Sequence, residues 1–423
     1  MNNRSTLFMI MFSLAVFPFE HGWCLEPSPA EAAYQSYLTG DKEQQKACIE
    51  RLAALSDEGV PYLEKLLKGM ENKEWTRDGE GAQIMLVDVL VRIGTDKAAD
   101  ALTGIALRYK SRIGYTAMAP VLTSALARMG KKGLDRLLIL SKQTEFTREP
   151  STRDGSKQFT WFPKKEIRPT EMARVAREAI AGVTDPAAMQ TLGTLIDARE
   201  FQHAVLLALT STKTLGYEEK VLRIWEQRHD PIALKYLLIV NREKYLPILQ
   251  AKLEVLDVEV ARLVRDLADL RARKVRDFVD DDSVVHLVFV VGGDPAANGT
   301  LRRYIESKLW DQPYHPHDPV VDAIMALALS KAPDVRPTLL ALLKDTTLID
   351  DPHCELASRC GLDGYIRAPN VPMFIFAVKA LQAFGDPTVI PDIEQHSAVH
   401  EPRYKRCFEE TLSTLRAAQK ANQ

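Results

Sequence analysis

The stretch AFGDPTVIPDI, residues 383–393, places Gly385, Asp386 and Pro387 between two apolar segments. Glycine readily adopts the left-handed backbone conformation that ends an α-helix. Aspartate accepts hydrogen bonds from free N–H groups at the start of a helix, and proline suits the first helical position because its missing N–H leaves nothing unpaired there. The stretch therefore predicts a helix, a tight turn and a second helix.

Similar turns recur along the chain. Their separations mostly fit one or two units of about 35 to 50 residues, the length of helical-pair repeats. Recurrence at this spacing predicts that the aspartates are helix caps and not members of a catalytic or ligand-binding site. They are Asp96, Asp185, Asp230, Asp294, Asp334 and Asp386.

Apolar residues follow several of these aspartates at offsets of four, seven and eleven residues, which places them on one face of a helix. One pair of helices cannot bury such a face alone, whereas stacked pairs can, and the result is a solenoid. The predicted core residues are Met189, Leu192, Ile196, Leu234, Leu237, Phe384, Ile390 and Ile393.

An apolar helix, Gly-Asp-Pro, alanine and then a Leu/Ile stripe together resemble a HEAT repeat, specifically the bacterial HEAT-like type first noted in phycobilisome lyases. The resemblance covers the chain from roughly Glu31 to Gln419, and its signals are clear in residues 89–102, 181–196, 290–305 and 332–394. It implies an all-α fold, an armadillo-like α-α superhelix that forms a right-handed solenoid of about eight to ten helical pairs with inserted loops. Such a resemblance specifies the fold more than the function.

Composition fits a chain with a large core. The 423 residues are 46% hydrophobic and 26% charged, and the 55 basic and 57 acidic side chains give a net charge of −2. A balanced charge gives no reason to expect nucleic acid as a partner.

The N-terminus has the pattern of a secretory signal peptide. Arg4 precedes the short apolar segment Leu7 to Phe19, and Gly22 and Cys24 suit cleavage before Leu25. The segment is too short to span about 30 Å of hydrocarbon. We therefore expect a signal peptide at 1–24, an exported repeat array at 25–423 (periplasmic or extracellular) and no stable membrane span after cleavage. A buried N-terminal helix and a lipoprotein are the alternatives.

Two activities found among proteins with such repeats are not expected here. Phycobilisome lyases attach bilins in the cytosol, where an exported chain would be misplaced. HEAT-repeat hydroxylases carry a di-iron centre held by several His-Glu pairs, whereas this chain has one such step, His400 and Glu401, followed at once by Pro402.

Two segments depart from the repeat pattern. Residues 256–279 predict a long amphipathic helix or a pair of helices. Residues 282–291 are rich in β-branched residues and would suit a strand, but within the array we interpret them as a buried repeat helix.

Three insertions interrupt the array, at 144–169, 308–319 and 345–370. Loops of this length are uncommon in compact domains and are often functional. Their aromatic side chains are candidate partner contacts, since aromatic anchors frequently dominate binding energy. The alternative is that they pin the insertions back onto the array. The candidates are Phe159, Trp161, Phe162, Trp310 and Tyr314.

Cleavage before Leu25 leaves four of the five cysteines. Cys354 and Cys360 lie close together in the third insertion and are the best disulfide candidates in an oxidising compartment. Cys48 and Cys407 lie in amphipathic helical patterns and are predicted to be buried thiols.

Together these patterns predict an exported, non-catalytic scaffold that binds a protein or peptide and needs no cofactor. The alternative is a metal-binding protein or enzyme whose site is assembled from the insertions, since imidazole, carboxylate and thiolate together can hold zinc. No CxxC or HExxH spacing supports it. Its candidate ligands are His315, His317, His353, Cys354 and Cys360.

Overall fold

A computed structural model describes residues 28–70, 77–108, 118–147, 166–273, 282–310, 318–350, 370–397 and 404–421. The chain divides into two units, residues 1–132 and 133–423. The proposed signal peptide lies outside the described residues. In the described ranges, no helix combines the length and the apolar character needed to cross a membrane.

The first unit consists of stacked helices. They are α1 (Pro29–Thr39), α2 (Lys42–Ala54), α3 (Ser56–Met70), α4 (Arg77–Ile93), α5 (Asp96–Arg108) and α6 (Met118–Arg128), and α7 (Gly130–Leu140) crosses the division between the units. The even-numbered helices form one layer, in which α2 packs against α4 and α4 against α6. In the second layer α3 packs against α5.

The second unit has an alternation of its own. Its helices are α8 (Glu171–Ala179), α9 (Pro186–Leu195), α10 (Arg199–Thr212), α11 (Glu218–Arg228), α12 (Pro231–Val240), α13 (Arg242–Arg273), α14 (Asp282–Val291), α15 (Asn298–Ser307), α16 (Asp318–Ser330), α17 (Arg336–Leu342), α18 (Met373–Phe384), α19 (Ile390–Ser397) and α20 (Lys405–Ala421). Each even-numbered helix packs against the next one, from α8 to α20, and α13 packs against α15 in the odd-numbered layer. The architecture is the predicted α-solenoid of HEAT-like helical pairs.

The predicted core is confirmed. All eight stripe residues named from the sequence are buried. Residues 282–291 form helix α14, not a strand. Residues 256–273 of the predicted amphipathic segment belong to one continuous helix, α13, of 32 residues, and residues 274–279 lie outside the described residues.

Two short strand pairs modify the prediction of plain inserted loops. β1 (Thr144–Thr147) pairs antiparallel with β2 (Glu166–Pro169), and β3 (Leu348–Asp350) pairs antiparallel with β4 (Asn370–Pro372). The strands of each pair come from the two ends of one insertion, so the first and third insertions are closed at their bases.

The recurring aspartates cap helices as predicted at four of the six positions, namely Asp185, Asp230, Asp294 and Asp386. Asp185, Asp294 and Asp386 each precede the second helix of a pair and accept a hydrogen bond from the backbone N–H two residues on, at 2.9–3.0 Å. Gly385 ends α18 with a φ of +75°, in the left-handed region that favours glycine.

Asp230 differs from these three in the helix that it caps, and the prediction requires correction at Asp96 and Asp334. Asp230 caps α12, the first helix of its pair, whereas the other capping aspartates precede the second helix of theirs. Asp96 is the first residue of α5, and the hydroxyl of the preceding Thr95 accepts the hydrogen bond from Ala98 N–H instead. Asp334 is the second residue of a short 3-10 helix, Pro333–Val335. Ala332 holds the N-cap position of that helix, so Asp334 is not the cap.

Arginines link neighbouring repeats through these same aspartates. The Arg242 guanidinium donates to both carboxylate oxygens of Asp294, with Nη2 to Oδ1 at 2.8 Å, while Asp294 also caps its own turn. Arg302 pairs with Asp334 at 2.5 Å and also donates to the Asp334 carbonyl. Asp334 therefore connects repeats although it does not cap a helix.

Gly293 occupies the tightest of the Gly-Asp-Pro turns, and its replacement by alanine gives a direct test of this packing. Its φ is +75°, and a Cβ atom there would lie 2.1 Å from the carbonyl oxygen of Ala326 in α16. We expect Gly293→Ala to lower the free energy of unfolding by about 2–4 kcal/mol, because backbone strain and overpacking add. Chemical denaturation followed by circular dichroism measures the change.

Gly299, six residues further on, is the matched control for that substitution. A Cβ atom there would meet nothing closer than the Arg303 guanidinium, at 3.5 Å. Gly299→Ala should therefore be neutral or stabilising by up to about 1 kcal/mol. Equal stability of the two variants would contradict the packing described for Gly293.

Candidate functional site

All three insertions occur at the same kind of connection in the second unit. The first joins α7 to α8, the second joins α15 to α16, and the third joins α17 to α18. Each is thus an odd-to-even connection, while the even-to-odd connections are short turns. Consecutive helices of a stacked array run antiparallel, so the odd-to-even connections lie at one end of the helices. We call this end of residues 133–423 the insertion edge.

The base of the first insertion is fixed to the array. β1 and β2 pair in register, and Thr170 N–H donates to the Gln143 carbonyl at 3.0 Å just beyond the strands. Arg177 of α8 donates to the carbonyl of the buried residue Ser141 at 2.9 Å. The Thr170 hydroxyl caps α8 by accepting from Ala173 N–H at 3.0 Å. The array therefore holds both ends of this insertion.

The bases of the second and third insertions touch each other. Lys308, the first residue of the second insertion, lies with its Nζ 3.5 Å from Oδ2 of Asp345, the first residue of the third. The Asp345 Oδ1 accepts from Thr347 N–H at 2.9 Å, and the Asp345 carbonyl accepts from Phe374 N–H at 3.0 Å. The first residues of the second and third insertions therefore lie next to each other.

The electrostatics of Asp345 fit this bridging role. Burial acts to raise the pKa of the Asp345 carboxyl, but the hydrogen bonds from Thr347 and the nearby Lys308 ammonium outweigh burial and lower the pKa. The carboxylate is therefore the stable form at neutral pH.

An exposed leucine lies beside this base. Leu348 in β3 is 55% exposed, whereas its neighbour Ile349 and the paired Val371 are fully buried. The alternation of a strand directs Leu348 away from the core. The insertion edge therefore carries an apolar side chain that the sequence analysis did not single out.

The predicted partner contacts are only partly described. Phe159, Trp161, Phe162 and Tyr314 lie outside the described residues and stay predictions. Trp310 requires correction: it is fully buried, and its indole N–H donates to the Ile305 carbonyl at 3.0 Å. A tryptophan with its polar atom satisfied inside the core stabilises the end of α15 and does not present a surface for binding.

The proposed metal ligands and disulfide also lie outside the described residues, namely His315, His317, His353, Cys354 and Cys360. The part of the chain that the structure describes contains no group of three or more metal-ligating side chains. Cys48 and Cys407 are buried free thiols, as predicted. Burial raises the pKa of Cys407 to about 11, against the opposing effect of Lys379, so this thiol is unreactive at neutral pH.

One polar pair in the even-numbered layer was missed by the sequence analysis. The Nδ1 of His286 in α14 lies 2.9 Å from the Oδ2 of Asp322 in α16, and the Asp322 side chain is almost completely buried. Each residue is the only ionisable one after the first position of an otherwise apolar helix, which is the signal that would have marked it. The pair joins adjacent repeats, and a buried carboxylate next to an imidazole favours one orientation of the ring.

The fold and the insertion edge define a helical-repeat protein suited to a scaffold role. No protein-family model matches the chain, and no curated protein sequence does. The chain is similar to the solved structure of human deoxyhypusine hydroxylase in complex with glycerol, with 14% sequence identity and a TM-score of 0.25. The match covers 86% of this chain and 98% of the hydroxylase chain.

This match contradicts one expectation from the sequence. The hydroxylase is an enzyme. The prediction that the present chain is not an enzyme rested on a helical array without recognisable catalytic motifs; it is wrong and is withdrawn. At a TM-score of 0.25 the likeness does not carry the hydroxylase activity to this chain. His400 and Glu401, the single His-Glu step, lie outside the described residues.

Replacement of Asp345 tests the shared base of the second and third insertions. Asp345→Ala should lower the free energy of unfolding at neutral pH by about 1–3 kcal/mol, since it removes the acceptor of the part-buried Thr347 N–H and the partner of Lys308. Asp345→Asn keeps the acceptor and should lose less. Thermal unfolding of the three proteins measures these differences.

The pH dependence supplies the control. A carboxyl with a lowered pKa stabilises the fold above its unfolded pKa, which is near the ordinary value of 3.8, and this stabilisation disappears as the pH falls through the lower folded pKa. The stability gap between wild type and Asp345→Asn should therefore shrink below about pH 4. A gap that is constant from neutral to acid pH would show that the charge of Asp345 plays no part.

Proposed function

We propose that the chain is an exported helical scaffold of the bacterial HEAT-like type, which binds a protein or peptide partner at the insertion edge. The contact between the bases of the second and third insertions carries this proposal. Lys308 and Asp345 hold the first residues of the two insertions side by side.

The first insertion extends the same edge. From α8 to α16 the even-numbered layer advances by four helices, and packed helices are about 8–10 Å apart. The first and second insertions are therefore separated by roughly 30–40 Å along the layer. A partner that contacts both must be a folded domain or an extended peptide, and a small molecule would be too short.

Apolar side chains supply the binding energy in this proposal. Leu348 is exposed at the base of the third insertion. Trp161 and Phe162, in the first insertion, remain predicted contacts. Aromatic and aliphatic anchors surrounded by polar groups are typical of the energetically important centre of an interface.

Export rests on the N-terminal sequence and is tested by the mass of the protein. The apolar segment Leu7 to Phe19, the preceding Arg4 and the small residues Gly22 and Cys24 favour cleavage before Leu25. Intact-mass spectrometry of the protein from its native cells should show a chain that begins at Leu25. A chain that retains Met1 would contradict export, and a lipid-modified Cys24 would indicate the lipoprotein alternative.

The binding surface is tested by comparing exposed leucines at opposite edges. Leu348→Ala, at the insertion edge, should weaken binding to a co-purified partner about tenfold, because a well-packed anchor typically contributes more than 1 kcal/mol. The double replacement of Trp161 and Phe162 by alanine should also weaken it. Quantitative pull-down from an envelope extract, followed by titration with the purified partner, measures the effect.

Leu215 is the matched control for Leu348. It is 67% exposed and lies in the short turn between α10 and α11, an even-to-odd connection at the opposite edge. Leu215→Ala should leave binding unchanged. If Leu215→Ala weakens binding while Leu348→Ala and the Trp161 and Phe162 double variant do not, the partner does not bind at the insertion edge.

A further inference from the structure

The backbone of β3 has a defined outer edge. β3 and β4 form a two-stranded antiparallel sheet in which Leu348 lies opposite Pro372. Met373 N–H donates to the Thr347 carbonyl at 2.9 Å, which makes these two residues a hydrogen-bonded pair. Hydrogen-bonded and non-hydrogen-bonded pairs alternate along an antiparallel sheet, so the N–H and C=O of Leu348 point away from β4.

Proline makes the two edges of this sheet unequal. Pro372 has no N–H, so the outer edge of β4 lacks a donor at the position where Leu348 gives the edge of β3 both a donor and an acceptor. Proline on an edge strand opposes the addition of another strand. The edge of β3 is therefore the one suited to a further strand, and no third strand adjoins it in the described part of the chain.

The base of the first insertion is built in the same way. Thr144 lies opposite Pro169, and Thr170 N–H donates to the Gln143 carbonyl at 3.0 Å, one residue beyond that pair. The N–H and C=O of Thr144 therefore point away from β2, as those of Leu348 point away from β4. In both insertions the returning strand carries proline and the first strand carries the outward backbone groups.

The side chains distinguish these two edges. Leu348 is 55% exposed, on the face opposite to the buried Ile349, and Thr346 is exposed as well. The corresponding position of β1 is occupied by Thr144, which is polar. An exposed apolar residue on an edge strand favours pairing with another chain. β3 thus combines outward backbone groups with an apolar contact at the same residue.

The two ends of β3 carry opposite charges. Lys344 is exposed shortly before the strand, and Asp350 is the last residue of the strand. Asp345 is half-buried and is already engaged by the Lys308 ammonium and the Thr347 N–H. Opposite charges across an interface favour one partner orientation, so an added strand gains from an acidic residue near Lys344 and a basic residue near Asp350.

We propose that β3 accepts an extended segment of a partner protein as a third, antiparallel strand. This inference rests on the proposed binding surface at the insertion edge, and it specifies the chemistry that the partner presents there. Antiparallel pairing is slightly more stable per residue than parallel pairing. Backbone hydrogen bonds to Leu348 supply affinity, while an apolar residue opposite Leu348 and the two terminal charges supply specificity.

A synthetic peptide tests strand addition without the natural partner. The fluorescein-labelled, amidated sequence Lys-Thr-Val-Thr-Val-Thr-Glu places a valine opposite Leu348 and its glutamate near Lys344 when it runs antiparallel to β3. Fluorescence polarisation should show binding to the full chain without its signal peptide, and the reversed sequence should bind about tenfold more weakly. The valine amides face β3 in this register, so their methylation should abolish binding, whereas methylation of the threonine amides should not.

Proline replacement at the edge separates backbone pairing from side-chain contact. Leu348→Pro removes an N–H that points away from β4, so the circular dichroism spectrum should be unchanged. It should weaken peptide binding by about tenfold or more, and by more than Leu348→Ala does, because a backbone hydrogen bond is lost as well. Thr144→Pro, at the equivalent edge position of β1, is the matched control and should bind the peptide like the wild type.

Four outcomes separate strand addition from the insertion edge itself. No peptide binding, or equal binding of the two methylated peptides, would overturn strand addition. A wild-type dimer that is lost in Leu348→Pro would overturn it too, by assigning β3 to a second copy of this chain. Equal loss of the co-purified partner in Leu348→Ala and Leu348→Pro would reject strand addition but support the insertion edge. Peptide binding with partner capture unchanged in both variants would support strand addition and contradict the insertion edge as the site of that partner.

Discussion

Burial of helix α18 on every side is the constraint on which the second unit depends. All nine residues from Met373 to Leu381 are buried, although an isolated helical pair can cover only one face of each helix. The remaining faces are covered by α16 and α20, the preceding and following helices of the same layer. Each repeat is therefore stable only as part of the stack, which explains why the apolar stripes recur so regularly in the sequence.

The same constraint governs polar groups in the layer. Lys379 is only 6% exposed, and its ammonium contacts Gln382 at 3.2 Å and Glu410 of α20 at 3.0 Å. A buried ammonium without partners would be strongly unfavourable, so α20 must be in place before α18 can hold this side chain in its charged form. The pair formed by His286 and Asp322 has an equivalent position between α14 and α16.

The sequence predicts those features that depend on local chemistry. Helix caps at Asp185, Asp294 and Asp386 follow from the hydrogen-bonding of one side chain to a backbone two residues away. Periodicity identifies the buried stripes in the same way. Which helix of its pair Asp230 would cap was not predictable, because an Asp-Pro cap is equally suitable for either helix.

Features that join distant segments were not predicted. The strand pair formed by β3 and β4 closes a long insertion, and three-residue strands carry little local signal. The contact between Lys308 and Asp345 spans two helices and depends on how the repeats stack. Trp310 was assigned to an insertion by its position in the sequence, but packing against the end of α15 decided its burial.

The organisation of the insertions could be read only after the helices had been assigned to layers. The sequence locates three insertions but does not show that each joins an odd-numbered helix to an even-numbered one. That alternation gives the second unit two unlike edges: the even-to-odd connections are short turns, whereas the odd-to-even connections include the three insertions beside short turns such as the one capped by Asp230. Short turns fix the repeat geometry, whereas long connections tolerate variation and can carry a binding surface.

Hydrogen–deuterium exchange of the full chain, with and without its co-purified partner, tests the central claim most directly. The account predicts slower exchange in the complex at the bases of the insertions, in residues 144–147, 166–170, 345–350 and 370–372. It predicts unchanged exchange at the opposite edge, in residues 213–217, 292–294 and 385–386. Protection of those turns, with unchanged exchange at the insertion bases, would contradict it.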